Sequence, residues 1–218
     1  MANNSASLLP MRDGVAASTV TLPMGSWSTL LGFLCDHFKG IPPETWRARM
    51  DAGLVTDSKG RPLGAETAFQ AQSVVHYYRA LEQETPIPFE ERILFQDDFI
   101  IAVDKPHFLP VMPAGKYLQE TLLVRLKRKT GIDALTPMHR LDRETAGVML
   151  FVIKPETRGA YQSLFMHKRV QKKYLAIAPY LEQLPFPVTR KSRLQASEHF
   201  MRMQEVTGAP NSETHIEL

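Results

Sequence analysis

Apolar residues recur along this chain at two different periods, and the switches between them mark out its elements. In STLLGFLCDHF, Ser28 to Phe38, the residues Leu30, Leu31, Phe33, Leu34 and Phe38 fall at helical spacing and predict a helix with one face toward a core. Pro42, Pro43 and Glu44 then open a second helix through Trp46 and Met50, which Gly53 ends. Leu54 and Val55, a turn at Ser58, Lys59 and Gly60, and the run Ser73 to Tyr78 read as a short hairpin and a closing strand. FIIAVDKP, Phe99 to Pro106, is a strand stopped where proline fixes φ and removes a ladder donor. LQETLLVRLKRKTG sets Leu118, Leu122, Leu123 and Leu126 on one helical face with Arg125, Lys127, Arg128 and Lys129 on or near the other, and Gly131 ends it. VMLFVI, Val148 to Ile153, is a short continuous apolar run, the pattern of a strand buried on both faces. Pro155 starts a further helix, with Ala160, Leu164 and Phe165 as its expected buried stripe.

Between these elements, residues 1–20 are rich in Ser, Asn and Ala without periodicity and read as a loose arm. Residues 81–92 are polar and broken by proline, the composition of a linker. The expected organisation is an arm, a small αβ module over 21–80, the linker, and a second domain over 93–218. The strand, helix, strand order of that second domain predicts an α+β fold with a mixed, mainly antiparallel sheet.

Composition narrows the classes. With 218 residues, 44% of them apolar, there is room for a real core and two small domains. One cysteine, Cys35, excludes an intramolecular disulfide framework and a cysteine-rich zinc site, suits a reducing cytoplasm, and reads as a small core-facing hydrophobe. No apolar run approaches the roughly 20 residues that span a bilayer, so no membrane association is expected. The net charge of +3 says little, but its distribution says more: residues 1–100 carry −4 and residues 101–218 carry +7. Three basic clusters lie in that second half: Arg125 to Lys129, Lys168 to Lys173, and Arg190 to Arg193. They would neutralise the phosphates of a nucleic acid, although solvated helix faces look the same in sequence.

The chemistry converges on HRLDRETAGVMLF, His139 to Phe151, where a polar turn runs straight into the apolar strand. His139, Arg140, Asp142, Arg143 and Glu144 place five polar or ionisable groups within six residues at the mouth of a core element. Arg140 and Arg143 flank Asp142, and neighbouring cations favour an ionised carboxylate. The same spacing also describes a charged turn that merely caps a strand. Tyr174, in KKYLAIAPY, reads from the residues alone as a core tyrosine on a half-buried strand.

HRLDRETAG resembles the H-R-L-D-x-x-T-S-G signature of the RluA-type pseudouridine synthases, with Ala146 in place of the usual serine. FIIAVDKP, KKYLAIAPY and a closing THIEL, Thr214 to Leu218, follow the order shown by that family. The N-terminal module resembles the αL RNA-binding domain, although Asp57 to Gly60 replaces its usual turn and Arg47 and Arg49 are its only obvious phosphate contacts. The resemblance implies isomerisation of uridine to pseudouridine in RNA, ribosomal RNA first and transfer RNA next, without cofactor or metal. It implies that Asp142 is catalytic and that Tyr174 stacks on the target uracil and handles a proton. Arg140 would enter the RNA stack where the uridine leaves, and His139 would orient the loop. Arg143, Lys105, Lys172 and Lys173 would contact RNA, Lys105 at the backbone phosphate or in support of its turn. After Lys105 and Pro106 the family usually has a small residue and Gly, whereas this chain has His107 and Phe108. The family also continues past THIEL into a basic block whose arginine pairs with the catalytic aspartate. A chain ending at Leu218 would leave a buried Asp142 without that partner, so a truncated and weakly active monomer is expected.

Two other classes compete. A non-catalytic RNA-binding protein would use the same basic surface. A glycosidase using Asp142 with Glu144 ranks lower, because two positions on one turn do not give the separation that paired carboxylates need.

Overall fold

The computed structural model describes residues 9–79, 84–180, 182–198 and 202–218. The chain forms two compact units, Met1–Gln171 and Lys172–Leu218. The first holds two large apolar cores and a smaller buried cluster among its described residues.

The first core is built by helices α1 (Leu30–His37) and α2 (Pro43–Asp51) on a three-stranded antiparallel sheet, in which β3 (Val74–Tyr77) lies between β1 (Ser18–Thr21) and β2 (Val55–Asp57). Local signals set the ends of these elements. Thr29 caps α1 by accepting from the Gly32 N–H at 3.1 Å, and Pro43 opens α2 at its first position. Leu30, Leu34, Phe33, Trp46 and Val55 are fully or almost fully buried here, with Cys35 packed at the margin. Arg49 is buried across the Trp46 ring, 5.0 Å from its centroid, and burial lowers its pKa. It is therefore no phosphate contact, and the expectation for it is corrected; Arg47 is exposed.

The loose arm expected over residues 1–20 does not hold from Leu9 onward; residues 1–8 lie outside the described ones. Arg12 and Val15 exchange backbone hydrogen bonds of 3.0 and 2.9 Å, Val15 is buried with Leu118 and Val124, and β1 pairs with β3. The composition was uninformative because one buried valine and one strand edge, not periodicity, fasten this segment.

The second core underlies the site. It is a four-stranded antiparallel sheet in the order β4, β5, β7, β6, formed by Arg92–Gln96, Ile100–Lys105, Gly147–Val152 and Thr136–Pro137. Ile101, Val103, Met149 and Phe151 are wholly buried on one side of it, with Leu109, Leu122 and Leu126. The last two belong to α3 (Leu122–Thr130), capped by Thr121 and ended by Gly131 at φ +71° in the left-handed region.

The polar face of α3 is only partly open: Arg128 and Lys129 are exposed, whereas Arg125 is drawn inward. Arg125 is only 15% exposed and donates to the carbonyls of Ile87 and Phe89 at 2.7 Å while pairing with Glu120 and Glu91. Glu84 accepts from the successive backbone N–H groups of Leu118, Gln119 and Glu120 at 2.7–2.8 Å. Residues 84–91 of the expected linker are thus strapped onto this helix; residues 81–83 lie outside the described ones. Helix α4 (Arg158–Met166) follows a short 3-10 turn at Pro155–Thr157, but Ala160 is exposed and Leu164 and Phe165 are only half-buried. The expected buried stripe is corrected accordingly.

The second unit holds an antiparallel sheet of β8 (Val188–Ala196) between β9 (Met203–Val206) and β10 (Ser212–Ile216). The α+β class with mainly antiparallel sheets is as expected, and every described strand pair is antiparallel, with no parallel pair among them.

Candidate active site

The motif forms the loop from β6 to β7. β5 and β7 run antiparallel with Lys105 opposite Gly147, so the end of the FIIAVDKP strand lies against the end of the motif. Gly147 has φ +129°, a conformation that a side chain strains to adopt, and this lets the loop turn into the strand.

Beneath the loop is a buried ammonium. Lys105 is completely shielded from solvent, and its Nζ donates to the carbonyls of Pro106, Leu109 and Arg143 at 3.1, 2.8 and 3.2 Å. Three donors meet three acceptors, which satisfies a charge that would otherwise be costly to bury. Burial lowers its pKa to about 8, opposed by the carboxylates of Glu144 and Asp142. Of the two roles expected for Lys105, its hydrogen bonds match support of the turn, and with its Nζ buried against three carbonyls the phosphate contact is corrected. It ties the turn after β5 to the motif loop and puts a positive charge under both carboxylates.

Other contacts fix the loop from above and from the side. His107, exposed, places Nδ1 2.6 Å from the Glu144 carbonyl oxygen. His139 Nε2 accepts from the Leu150 N–H at 3.3 Å, and its ring stacks on Phe165 with centroids 4.9 Å apart. The Thr145 N–H donates to the Asp142 carbonyl at 3.1 Å, closing a tight turn over Asp142 to Thr145.

On the loop the charges do not pair as their spacing suggests. Arg140 stands 3.7 Å from Asp142, with both side chains largely exposed. Arg143 turns away to Glu144, with hydrogen bonds of 2.8 and 2.9 Å, and donates to the Tyr117 hydroxyl at 3.3 Å. The Glu144 hydrogen bond raises the Arg143 pKa, and the same contact lowers that of Glu144. The flanking of Asp142 by two cations is therefore corrected to one. Asp142 itself is not buried: its side chain is 78% exposed.

Lys172, Lys173 and Tyr174 lie in the second unit. They are exposed, in a stretch without strand or helix, and Tyr174 is 66% exposed. The half-buried strand read from the residues alone is not present here. Three residues at the motif loop escaped the sequence reading: His107, Phe108 and Tyr117. The only signal for the first two was the departure after Lys105-Pro106. Tyr117 gave none, since its role depends on how the 112–121 segment returns to the loop.

Comparison with known proteins bears on this arrangement. A family model described as RNA pseudouridylate synthase matches residues 98–218, more than half of the chain, and the chain belongs to that family. It is 29% identical over 121 residues to an uncharacterised RNA pseudouridine synthase of Synechocystis, covering 56% of this chain and 41% of that protein. It is 41% identical over 86 residues to tRNA pseudouridine synthase C of Pasteurella multocida, covering 39% and 35%. The tRNA pseudouridine(31) synthase of Saccharomyces cerevisiae is 37% identical over 84 residues, 38% of this chain and 20% of that one. Among solved structures, human RNA pseudouridylate synthase domain containing 4 shares 27% identity with a TM-score of 0.41, over 56% of this chain and 50% of that one. The chain spans less than half the length of these curated relatives.

Proposed function

We propose that this chain isomerises uridine to pseudouridine in RNA, with Asp142 as the catalytic carboxylate. The observation that carries the reading is an accessible carboxylate on a loop that is rigid from below: Asp142 faces solvent, while Lys105 and His107 fasten the residues beside it. In the reaction the bond from ribose carbon 1 to N1 breaks, the uracil turns, and its C5 bonds to that carbon. The proton lost from C5 is balanced by one gained at N1. Asp142 either adds to the anomeric carbon or takes the proton from ribose carbon 2. Both routes need an ionised carboxylate that a flipped nucleotide can reach.

In this reading Arg140 occupies the gap left by the flipped base, and Tyr174 with Lys172 and Lys173 supplies a stacking ring and phosphate contacts. Arg143 acts on the loop through Glu144 and Tyr117 as much as on RNA. The N-terminal αL-like module over 21–80 adds RNA contact through exposed Arg47, and the protein works as a cytoplasmic monomer. Transfer RNA is the substrate class we favour, because the relatives named for a substrate act on tRNA. Ribosomal RNA, the family-level expectation, is the other arm of the test.

The experiment is pseudouridine mapping of total RNA from cells lacking the gene, complemented with the unaltered chain or with Asp142→Asn. We expect one tRNA position to lose its modification and only the unaltered chain to restore it. Asp142→Asn should lower turnover on the order of 10³-fold or more with no change in thermal midpoint. Restoration by Asp142→Asn would overturn the assignment; loss of a ribosomal site instead would move the substrate class. A chain that binds RNA equally well with Asp142→Asn and modifies no site would be the non-catalytic RNA binder.

A further inference from the structure

The turn after Lys105 carries a feature that holding the loop does not require. Phe108 sits at φ +64°, in the left-handed region where a side chain is strained, and is 50% exposed. Its neighbours are anchored on both sides. Pro106 and Leu109 bind the Lys105 ammonium, His107 binds Glu144, and the carbonyls of Pro110 and Val111 accept from Leu122 and Leu123 at the start of α3. The frame thus imposes the conformation at Phe108 and turns its ring outward, where a glycine or asparagine would be relaxed.

The ring is not alone. Phe89, 46% exposed, has its centroid 6.0 Å from that of Phe108, and the His107 imidazole lies 5.9 Å from it. The hydrogen bond from His107 to Glu144 ties this aromatic group to the motif loop two residues from Asp142. Cations stand at the same loop: Arg140 is 62% exposed and Arg143 43% exposed. Exposed π faces beside exposed guanidinium groups are what an unpaired nucleotide takes, ring on ring and phosphate on cation. A folded protein partner would want a larger apolar area with fewer charges at its centre.

We propose that Phe108, with His107 and Phe89 beside it, is a stacking platform for an unpaired base flanking the target uridine. The inference rests on the synthase reading and adds to it a residue that selects single-stranded context. Strain at Phe108 is retained because it holds the ring where an RNA base lands.

The test separates strain from stacking, using the whole chain and two labelled RNAs of equal length, a hairpin with an unpaired loop and a full duplex. Phe108→Gly should raise the thermal midpoint by about 2–4 °C, since it relieves the backbone. It should also weaken binding of the looped RNA about tenfold or more, as loss of one base stack does, while leaving duplex binding unchanged. Phe108→Tyr should bind the looped RNA as the unaltered chain does. Unchanged loop affinity in Phe108→Gly would overturn the platform and leave the synthase reading standing. Equal weakening on both RNAs would also overturn it, in favour of a general effect on the loop. An unaltered chain that binds neither RNA would overturn both readings.

Discussion

The motif loop, His139 to Ala146, is fastened by the Lys105 ammonium, the His107 imidazole, the His139 to Leu150 hydrogen bond and the strand pair on which it sits. The stretch Lys172 to Tyr180, which holds Tyr174, the proposed stacking ring, has no ladder among the described residues, and Leu175 and Ile177 are fully exposed. Their sequences announce this difference only in part, since YLAIAPY, though less apolar than VMLFVI, is also a short run of mostly apolar residues. Strand propensity measures the fit of a side chain against neighbours on a pleated surface, so a run without neighbours gains nothing from it. Val148–Val152 lies in a sheet because β5 pairs along it; 172–180 has no such partner among the described strands.

Four predictions test this contrast. The largest effect is expected from Lys105→Met. Three carbonyls lose their donor inside a core, which should cost about 3 kcal/mol of folding stability. Turnover should fall with it, because the loop carrying Asp142 loses its tether and its cation. Urea unfolding and single-turnover pseudouridine formation check both; a variant as stable as the parent would show that the buried ammonium does not hold the loop.

A smaller effect comes from pH. The Lys105 pKa of about 8 lies below the 10.5 of a free lysine, so between these values the unfolded chain holds a proton that the folded chain has released. Stability contributed by this group therefore rises as pH climbs through that window, while the charge beneath Asp142 disappears. Relative to Lys105→Met, the parent should gain thermal midpoint from pH 8 to 10 as its turnover declines. Parallel pH profiles in the two proteins would contradict the shift.

The smallest expected effect on folding is at Tyr174. Tyr174→Ala should leave the thermal midpoint in place while lowering turnover, because the ring is exposed and supports no core. Hydrogen exchange should show the amides of Met138 and Leu150, bonded across the motif, protected for far longer than those of 172–180. Strong protection across 172–180 would mean that this stretch is paired in solution.

The sequence by itself determined the features that rest on near neighbours. The helices at Leu30–His37, Pro43–Asp51 and Leu122–Thr130 follow from apolar spacing with Thr29, Pro43 and Gly131 at their ends, and the strands ending at Lys105 and beginning at Gly147 follow from apolar runs with a stop or a start. Motif order located Asp142. Which charges turn inward depends on how distant parts of the folded chain meet. Lys105 and Arg125 look in sequence like any solvent-facing cation, yet both are turned inward by partners far along the chain: Arg143 for Lys105, and Ile87, Phe89 and Glu91 for Arg125. Conversely, Leu164 and Phe165 have helical spacing but no core to cover them, and Asp142 stands in solvent where a buried carboxylate was expected. The physical reason is the same in each case: periodicity fixes which side chains share a face, whereas burial depends on what that face meets.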